Sequence, residues 1–107
     1  MDGAEYKASH EAFLLLAKRS ERPQPRLGFI IARKKASRAV DRNRIKRCVR
    51  ESFRQMQGNF PPMDIVFLAR QDVARLDKPT LHTVCRDAFR KLIRKAGQSA
   101  SASRPSS

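Results

Sequence analysis

The chain has no tryptophan, one tyrosine, two cysteines and only ten carboxylates among its 107 residues. Each scarcity removes a class of function. Cys48 and Cys85 stand without a CxxC spacing or a nearby histidine pair, so neither a zinc site nor a disulfide framework can be built from them. Both fall on apolar helical spacings and read as reduced core thiols, which suits a cytosolic setting. The carboxylates show no DxD and no paired glutamates of the kind that hold two metal ions for phosphodiester hydrolysis. Walker and GxSxG loops are missing too, and His10 and His82 are isolated in sequence and read as surface residues. No catalytic residue and no metal ligand is therefore expected within the chain. No apolar run approaches the roughly 18 residues that span a bilayer, and Met1 is followed by Asp2 and not by a signal-type apolar segment. A soluble, cytoplasmic protein with no membrane partner is expected.

What the chain does have is positive charge. Lys and Arg number 24, the formal net charge is +14 and the pI is about 11.3, a balance that calls for a polyanionic partner. A hydrophobic content of 40% is enough for one small globular domain and argues against a merely disordered basic tail. The charge is concentrated: the twenty-two residues Arg33 to Arg54, RKKASRAVDRNRIKRCVRESFR, hold ten cations and two acids. From Arg38 onward this stretch has helical periodicity. Ile45, Cys48, Val49, Ser52, Phe53 and Met56 recur at i, i+3, i+4, i+7, i+8 and i+11, a stripe that must pack on a core. Asn43, Lys46, Arg47, Arg50 and Arg54 fall within a roughly 100° arc on the opposite side, while Arg42 lies beside the apolar face. A solvated helix normally interleaves such cations with glutamates at i−4, but here only Asp41 and Glu51 are at hand. Guanidinium forks grip phosphate oxygens bidentately and stack on unpaired bases, so the expected partner is a nucleic acid.

Around this helix the chain reads in order as follows. Tyr6 to Ala8 is a brief edge strand, and Ala12 to Ala17 (AFLLLA) is a strand-length apolar run whose Ala and Leu content keeps helix in competition. Residues 18–26, KRSERPQPR, form a surface connection. Arg26 to Arg33 is a strand with Leu27, Phe29 and Ile31 on one side and Gly28, Ile30 and Ala32 on the other, expected to close an antiparallel hairpin with the strand before it. Ser37 is a candidate N-cap. The basic helix should end near Gln57, ahead of Gly58 and the Pro61-Pro62 pair. Asp64 to Ala69 reads as a strand buried on both faces. Pro79 then opens a final helix in which Leu81, Val84, Cys85, Ala88, Phe89, Leu92, Ile93 and Ala96 form one stripe, with Gly97 as its stop. The expected fold is α+β, a small sandwich of a mostly antiparallel sheet of 3–4 strands with two helices packed on it. Residues 1–97 are expected to make one nucleic-acid-binding domain, and 98–107 (QSASASRPSS) a disordered Ser/Ala-rich tail.

The order Arg42-Asn43-Arg44, Lys46-Arg47, Arg50-Glu51 resembles the RNR signature of the bacterial ribonuclease P protein component, and the flanks agree. Leu27 to Ile31 with Ala32-Arg33-Lys34-Lys35 is similar to the strand and basic loop ahead of that helix, and Asp64 to Arg70 to the strand behind it. The resemblance runs from about Ser9 to Ala96. It implies a left-handed βαβ crossover around the basic helix, where handedness rules alone predict a right-handed one. It also implies an N-terminal helix that has no counterpart ahead of the first strands here.

The resemblance further implies a subunit of an endoribonuclease that removes the 5′ leader of precursor tRNA, with the catalytic centre in an RNA subunit. Mg²⁺ would be held mainly by that RNA and the substrate, and the protein would be a monomer with no tightly bound cofactor. The contacts with the catalytic RNA would then fall to Arg33, Lys34, Lys35, Arg38, Arg42, Asn43, Arg44, Lys46, Arg47, Arg50 and Arg54, with Arg70 matching a recurring arginine. A cleft for the single-stranded leader would involve Phe13, Leu14 and Leu16, since single strands are held by stacking and backbone charge. Two other classes share parts of the pattern. A ribosome-binding or assembly protein would match in charge and size but would not require the RNR-x-KR-xx-RE order. A DNA-reading helix would usually belong to a closely connected helical pair, whereas strands flank this one on both sides.

Overall fold

The computed structural model describes residues 5–32, 38–70 and 73–102, with side chains described as far as Gly97. The elements are β1 (Tyr6–Ser9), β2 (Phe13–Arg19), β3 (Arg26–Ile30), α1 (Ala39–Met56), β4 (Met63–Ala69) and α2 (Lys78–Ala102), with single 3₁₀ turns at Gln57–Asn59 and Val73–Arg75. The α+β sandwich is as expected. AFLLLA is strand, because its alternating Phe13, Leu15 and Ala17 bury one face while both edges find hydrogen-bonded neighbours, which overrides the helical leaning of Leu and Ala.

The strand pairing differs from the sequence reading. The sheet order is β1-β2-β4-β3, so β2 and β3 are not neighbours and do not form a hairpin. The hairpin is β1 with β2, closed by a tight turn in which the His10 N–H donates to the Phe13 carbonyl at 2.9 Å. β4 then lies antiparallel to β2 and parallel to β3. The connection after β2 is long enough, and stiffened enough by Pro23 and Pro25, to carry the chain past the place β4 will fill and over to the far edge. β3–α1–β4 is thus a parallel crossover unit, with α1 as the connection.

β4 is an interior strand, but it is not buried on both faces. Met63, Ile65, Phe67 and Ala69 are buried, whereas Asp64, Val66 and Leu68 are half-exposed. Both helices cover the same face. Against it lie Ile45, Cys48, Val49, Phe53 and Met56 of α1, and Leu81, Cys85, Ala88, Phe89, Leu92 and Ala96 of α2. Phe53, Phe60 and Phe89 form an aromatic trio with centroids 5.3 to 5.8 Å apart, which ties the end of α1 to the middle of α2. No described helix is long and apolar enough to cross a membrane.

The helix ends carry two corrections. Ser37 lies outside the described residues, and the N-cap position of α1 is Arg38, whose side chain makes no cap hydrogen bond. α2 passes through Gly97, the expected stop, and runs to Ala102. Gly97 has no left-handed backbone and nothing crowds it, so it is an ordinary interior glycine costing about 1 kcal/mol relative to Ala, and the alanines after it favour helix. The start of α2 is a built cap that the sequence reading passed over. The Asp77 carboxylate accepts the Thr80 N–H at 3.0 Å, and the Asp77 carbonyl accepts the Leu81 N–H at 2.9 Å.

Hydrogen bonding to the side chain and N–H of Thr80, with a smaller contribution from the Arg44 charge, holds the Asp77 carboxyl below its ordinary value. A depressed carboxylate contributes stability that is present above the unfolded value near 3.8 and is lost as pH falls through the folded one. The Asp77→Ala variant should therefore melt below the parent at neutral pH, and the two melting temperatures should draw together as pH falls below 3.8 and through the depressed folded value. A constant gap across the whole range would mean that the carboxylate charge plays no part in the cap.

Candidate nucleic-acid interface

The six residues of the apolar stripe are the six buried residues of α1, so the helix is oriented as its periodicity requires. Opposite them Asn43, Arg47, Arg50 and Arg54 are exposed, and Lys46 is half-exposed. Arg42 is half-buried at the border, as its angle predicts. Arg33, Lys34 and Lys35 lie outside the described residues.

Several of the expected cations have partners within the fold. Arg44 is turned toward the 3₁₀ turn before α2, where its Nη1 donates to the Leu76 carbonyl at 2.8 Å and its Nη2 to the Ala74 carbonyl at 2.9 Å. Asp41 stands 3.9 Å from the same guanidinium and 4.0 Å from Arg38. Arg44 is thus a strut that fixes α1 against the entry to α2. Arg70 does similar work at the end of β4. Its Nη1 donates to the Ser9 hydroxyl at 3.1 Å and the His10 carbonyl at 2.9 Å, while its N–H donates to the Ala12 carbonyl at 2.8 Å. Arg50 lies over the ring of Phe29, 5.6 Å from guanidinium to centroid, so the half-exposed aromatic of β3 is covered by a cation of the helix. Arg47 has no ion-pair or hydrogen-bond partner among the described residues.

The leader cleft expected at Phe13, Leu14 and Leu16 does not hold together. Successive strand residues face opposite sides, and Phe13 belongs to the core: it is 0% exposed and stacks on Phe67 at 4.9 Å and on His10 at 5.0 Å. His10 is accordingly a packed turn residue that accepts the Ala12 N–H at 3.0 Å on Nδ1, and not a free surface side chain. Leu14 and Leu16 are on the uncovered face, where they register with Leu68 and Val66 of β4 and, one strand further, with Ile30 and Gly28 of β3. This half-exposed apolar patch is bordered by the exposed cations Lys7, Lys18 and Arg26. Arg26 pairs with Asp64 across the strands at 3.5 Å, a charge contact outside hydrogen-bond geometry that leaves the buried Asp64 Oδ1 without a donor.

A second exposed cationic row was missed. Arg86, Arg90 and Arg94 recur at i, i+4 and i+8 along α2, with Asp87 3.5 Å from Arg90. The spacing is plain in the sequence, but the density of charge in α1 overshadows it. Among the described residues no group of three or more His, Cys, Asp or Glu side chains could hold a metal ion. Burial pushes both thiols up from their ordinary value, so Cys48 and Cys85 stay protonated.

These positions separate the arginines by cost. Arg44→Ala leaves two part-buried carbonyls without donors and should destabilise the fold by about 2 kcal/mol. Arg50→Ala loses its place over Phe29 and should cost roughly 0.5–1 kcal/mol. Arg47→Ala should fall within about 0.5 kcal/mol of the parent. Urea denaturation of the three variants checks the order, and a destabilised Arg47→Ala beside an unaffected Arg44→Ala would contradict it.

Comparison with known proteins bears on what this surface is for. The family model described as Ribonuclease P matches residues 3–97. The ribonuclease P protein component of Chromohalobacter salexigens is 42% identical over 103 residues, covering 96% of this chain and 80% of that protein. Its counterpart in Acinetobacter baylyi is 45% identical over 95 residues, or 89% and 72%. The solved RNase P protein of Thermotoga maritima, 32% identical, matches with a TM-score of 0.67 over 83% of this chain and 82% of that one. With the RNR motif carried on a core-anchored helix and the match running through both helices and the whole sheet, the chain belongs to the ribonuclease P protein component family.

Proposed function

We propose that this chain binds the catalytic RNA of ribonuclease P through the outward face of α1 and the segment ahead of it, and holds the 5′ leader of precursor tRNA on the uncovered face of the sheet. The observation that carries the reading is the two-sidedness of α1. Its apolar stripe is buried, so Asn43, Lys46, Arg47, Arg50 and Arg54 are fixed outward on one rigid surface. Arg33, Lys34, Lys35 and Arg38 come just before it in the chain and extend the row in sequence. Phosphate oxygens of a folded RNA are the natural counter-charge, and contacts of this kind position a protein on its partner without reading sequence.

On the sheet the apolar patch of Leu14, Leu16, Val66, Leu68 and Ile30 offers a surface for unstacked bases, and Lys7, Lys18 and Arg26 provide backbone charge. Leu14 and Leu16 keep the role expected of them, and Phe13 drops out. Arg70 acts at one remove, by holding the β1–β2 turn against the end of β4.

The chemistry is assigned to the RNA. The Mg²⁺ that activates water for phosphodiester cleavage would be held by RNA and substrate phosphates. The protein's contribution is binding and orientation, which raise the local concentration of the correct substrate geometry. It acts as a monomer.

Reconstitution tests this. Highly purified, RNA-free protein should leave precursor tRNA intact, and addition of the cognate catalytic RNA with Mg²⁺ should give cleavage at the mature 5′ end that the protein enhances. Neutralising roughly five to eight phosphates predicts a log–log salt slope for binding the catalytic RNA on the order of −4 to −7. Metal-dependent cleavage by the protein alone, or a slope near −1, would overturn the reading.

A further inference from the structure

Val40 is unusual on α1: it is a large apolar residue, 59% exposed, on the helix that carries the densest charge. The core does not use it. With Asn43, Arg44, Arg47 and Cys48 it forms a second stripe at i, i+3, i+4, i+7 and i+8, which meets the buried one at Cys48. Along this stripe, where α1 meets the first residue of α2, there is a cavity of about 320 Å³ lined by Val40, Asn43, Arg44, Arg47, Cys48 and Lys78.

The lining is mixed in a specific way. Val40 gives apolar surface and the buried Cys48 closes the floor behind it, its Sγ lying 3.7 Å from the Lys78 carbonyl. Asn43 brings an amide that both donates and accepts. Arg47 and Lys78 are exposed cations on opposite elements. The wall is already in place, because Arg44 is held by two carbonyls and the helix start by the Asp77 cap. A bare phosphate would leave the valine and the thiol without contact, and an apolar peptide would have to lie among unneutralised cations. A planar heterocycle with a polar edge and flanking phosphates satisfies every group, and the volume is at the low end for a small-ligand site, suited to one base.

We propose that this cavity takes a single unstacked nucleobase of the catalytic RNA. The proposal rests on the reading of α1 as the RNA-binding helix and adds a base contact to what is otherwise phosphate recognition. Asn43 meets the base edge, Val40 and Cys48 its face, and Arg47 and Lys78 the phosphates on either side. The arrangement explains why the motif has an amide between two arginines, one of which is fully engaged in the fold.

Two measurements test it. In an amide NMR titration, adenosine, guanosine, cytidine and uridine monophosphates should move the resonances of Val40, Cys48 and Lys78 and the Asn43 side-chain amide, and ribose 5-phosphate should not. Equal shifts with ribose 5-phosphate would make the cavity an anion site, and no shift with any nucleotide would dismiss it. In binding titrations against the catalytic RNA, Val40→Ala and Asn43→Ala should each lose about three- to tenfold in affinity with the salt slope unchanged, whereas Arg47→Ala should lose affinity and flatten the slope by about one phosphate. A single-stranded leader oligonucleotide should bind the Val40 and Asn43 variants as it binds the parent. Loss there and not on the catalytic RNA would refute the assigned source of the base. If the parent shows a steep slope and both variants bind the catalytic RNA normally, the pocket fails while the RNA-binding reading stands; a parent with a flat slope removes both.

Discussion

Burial of one stripe of α1 is the constraint on which the molecule depends. The outward cations recur about every turn, roughly 6 Å apart along the axis, and each neighbouring pair repels by somewhat under 1 kcal/mol in water, less in salt. Ile45, Val49 and Phe53 on the other side contribute about 1.5–3 kcal/mol each when fully buried. The core wins by a clear margin, which is why a helix so charged can be held rigid in the absence of RNA. A basic segment without that stripe would order only on binding and would pay the conformational entropy at that moment. The buried face therefore sets the geometry of the exposed one, although it touches no partner.

The RNR motif divides into three physical roles because three successive residues of a helix point 100° apart. Arg42 lies at the border of the core, Asn43 stands outside on the cavity, and Arg44 reaches sideways to the carbonyls of Ala74 and Leu76. Angular position alone separates Arg42 from Asn43. It does not find the strut, because the groups that accept from Arg44 are 30 and 32 residues away and are backbone atoms, which leave no trace in side-chain pattern. Arg70 escapes in the same way, its acceptors lying 60 and 61 residues upstream.

What the sequence shows and what it hides follow one division. Faces are local: the stripes of α1 and α2 and the alternation of β3 can be read from spacing, and the structure keeps them. Partners are long-range. Nothing within Phe13–Arg19 says that it will pair with Met63–Ala69 and not with the strand that follows, and proximity in the chain pointed to the wrong neighbour. The same limit put Phe13 in the leader cleft. An unbroken apolar run such as AFLLLA carries no polar alternation to say which of its residues the helices will cover. Gly97 is a third case, a residue type that ends many helices and here sits inside one, since a glycine stops a helix only where the backbone turns left-handed.

The scarce acids complete the picture. Glu5 accepts the Arg19 N–H, Asp41 stands by Arg38 and Arg44, Asp64 by Arg26, Asp77 caps α2, and Asp87 stands by Arg90. These carboxylates are each committed to a short-range structural contact, and none of these contacts reaches Arg47. Their placement matters more than their number. Had one of them stood at i−4 to Arg47, it would have offset the local repulsion and lowered the attraction for phosphate in equal measure. With these five engaged elsewhere and only Glu51 standing within four residues of Arg47 on α1, the net potential over the outward face stays positive and is left for the partner to neutralise. A free protein of net charge +14 is strained by its own field, and an RNA that binds only the folded form relieves that strain and stabilises the fold by mass action. Stability and recognition are thus coupled through one helix, whose inner face supports the charge that its outer face presents.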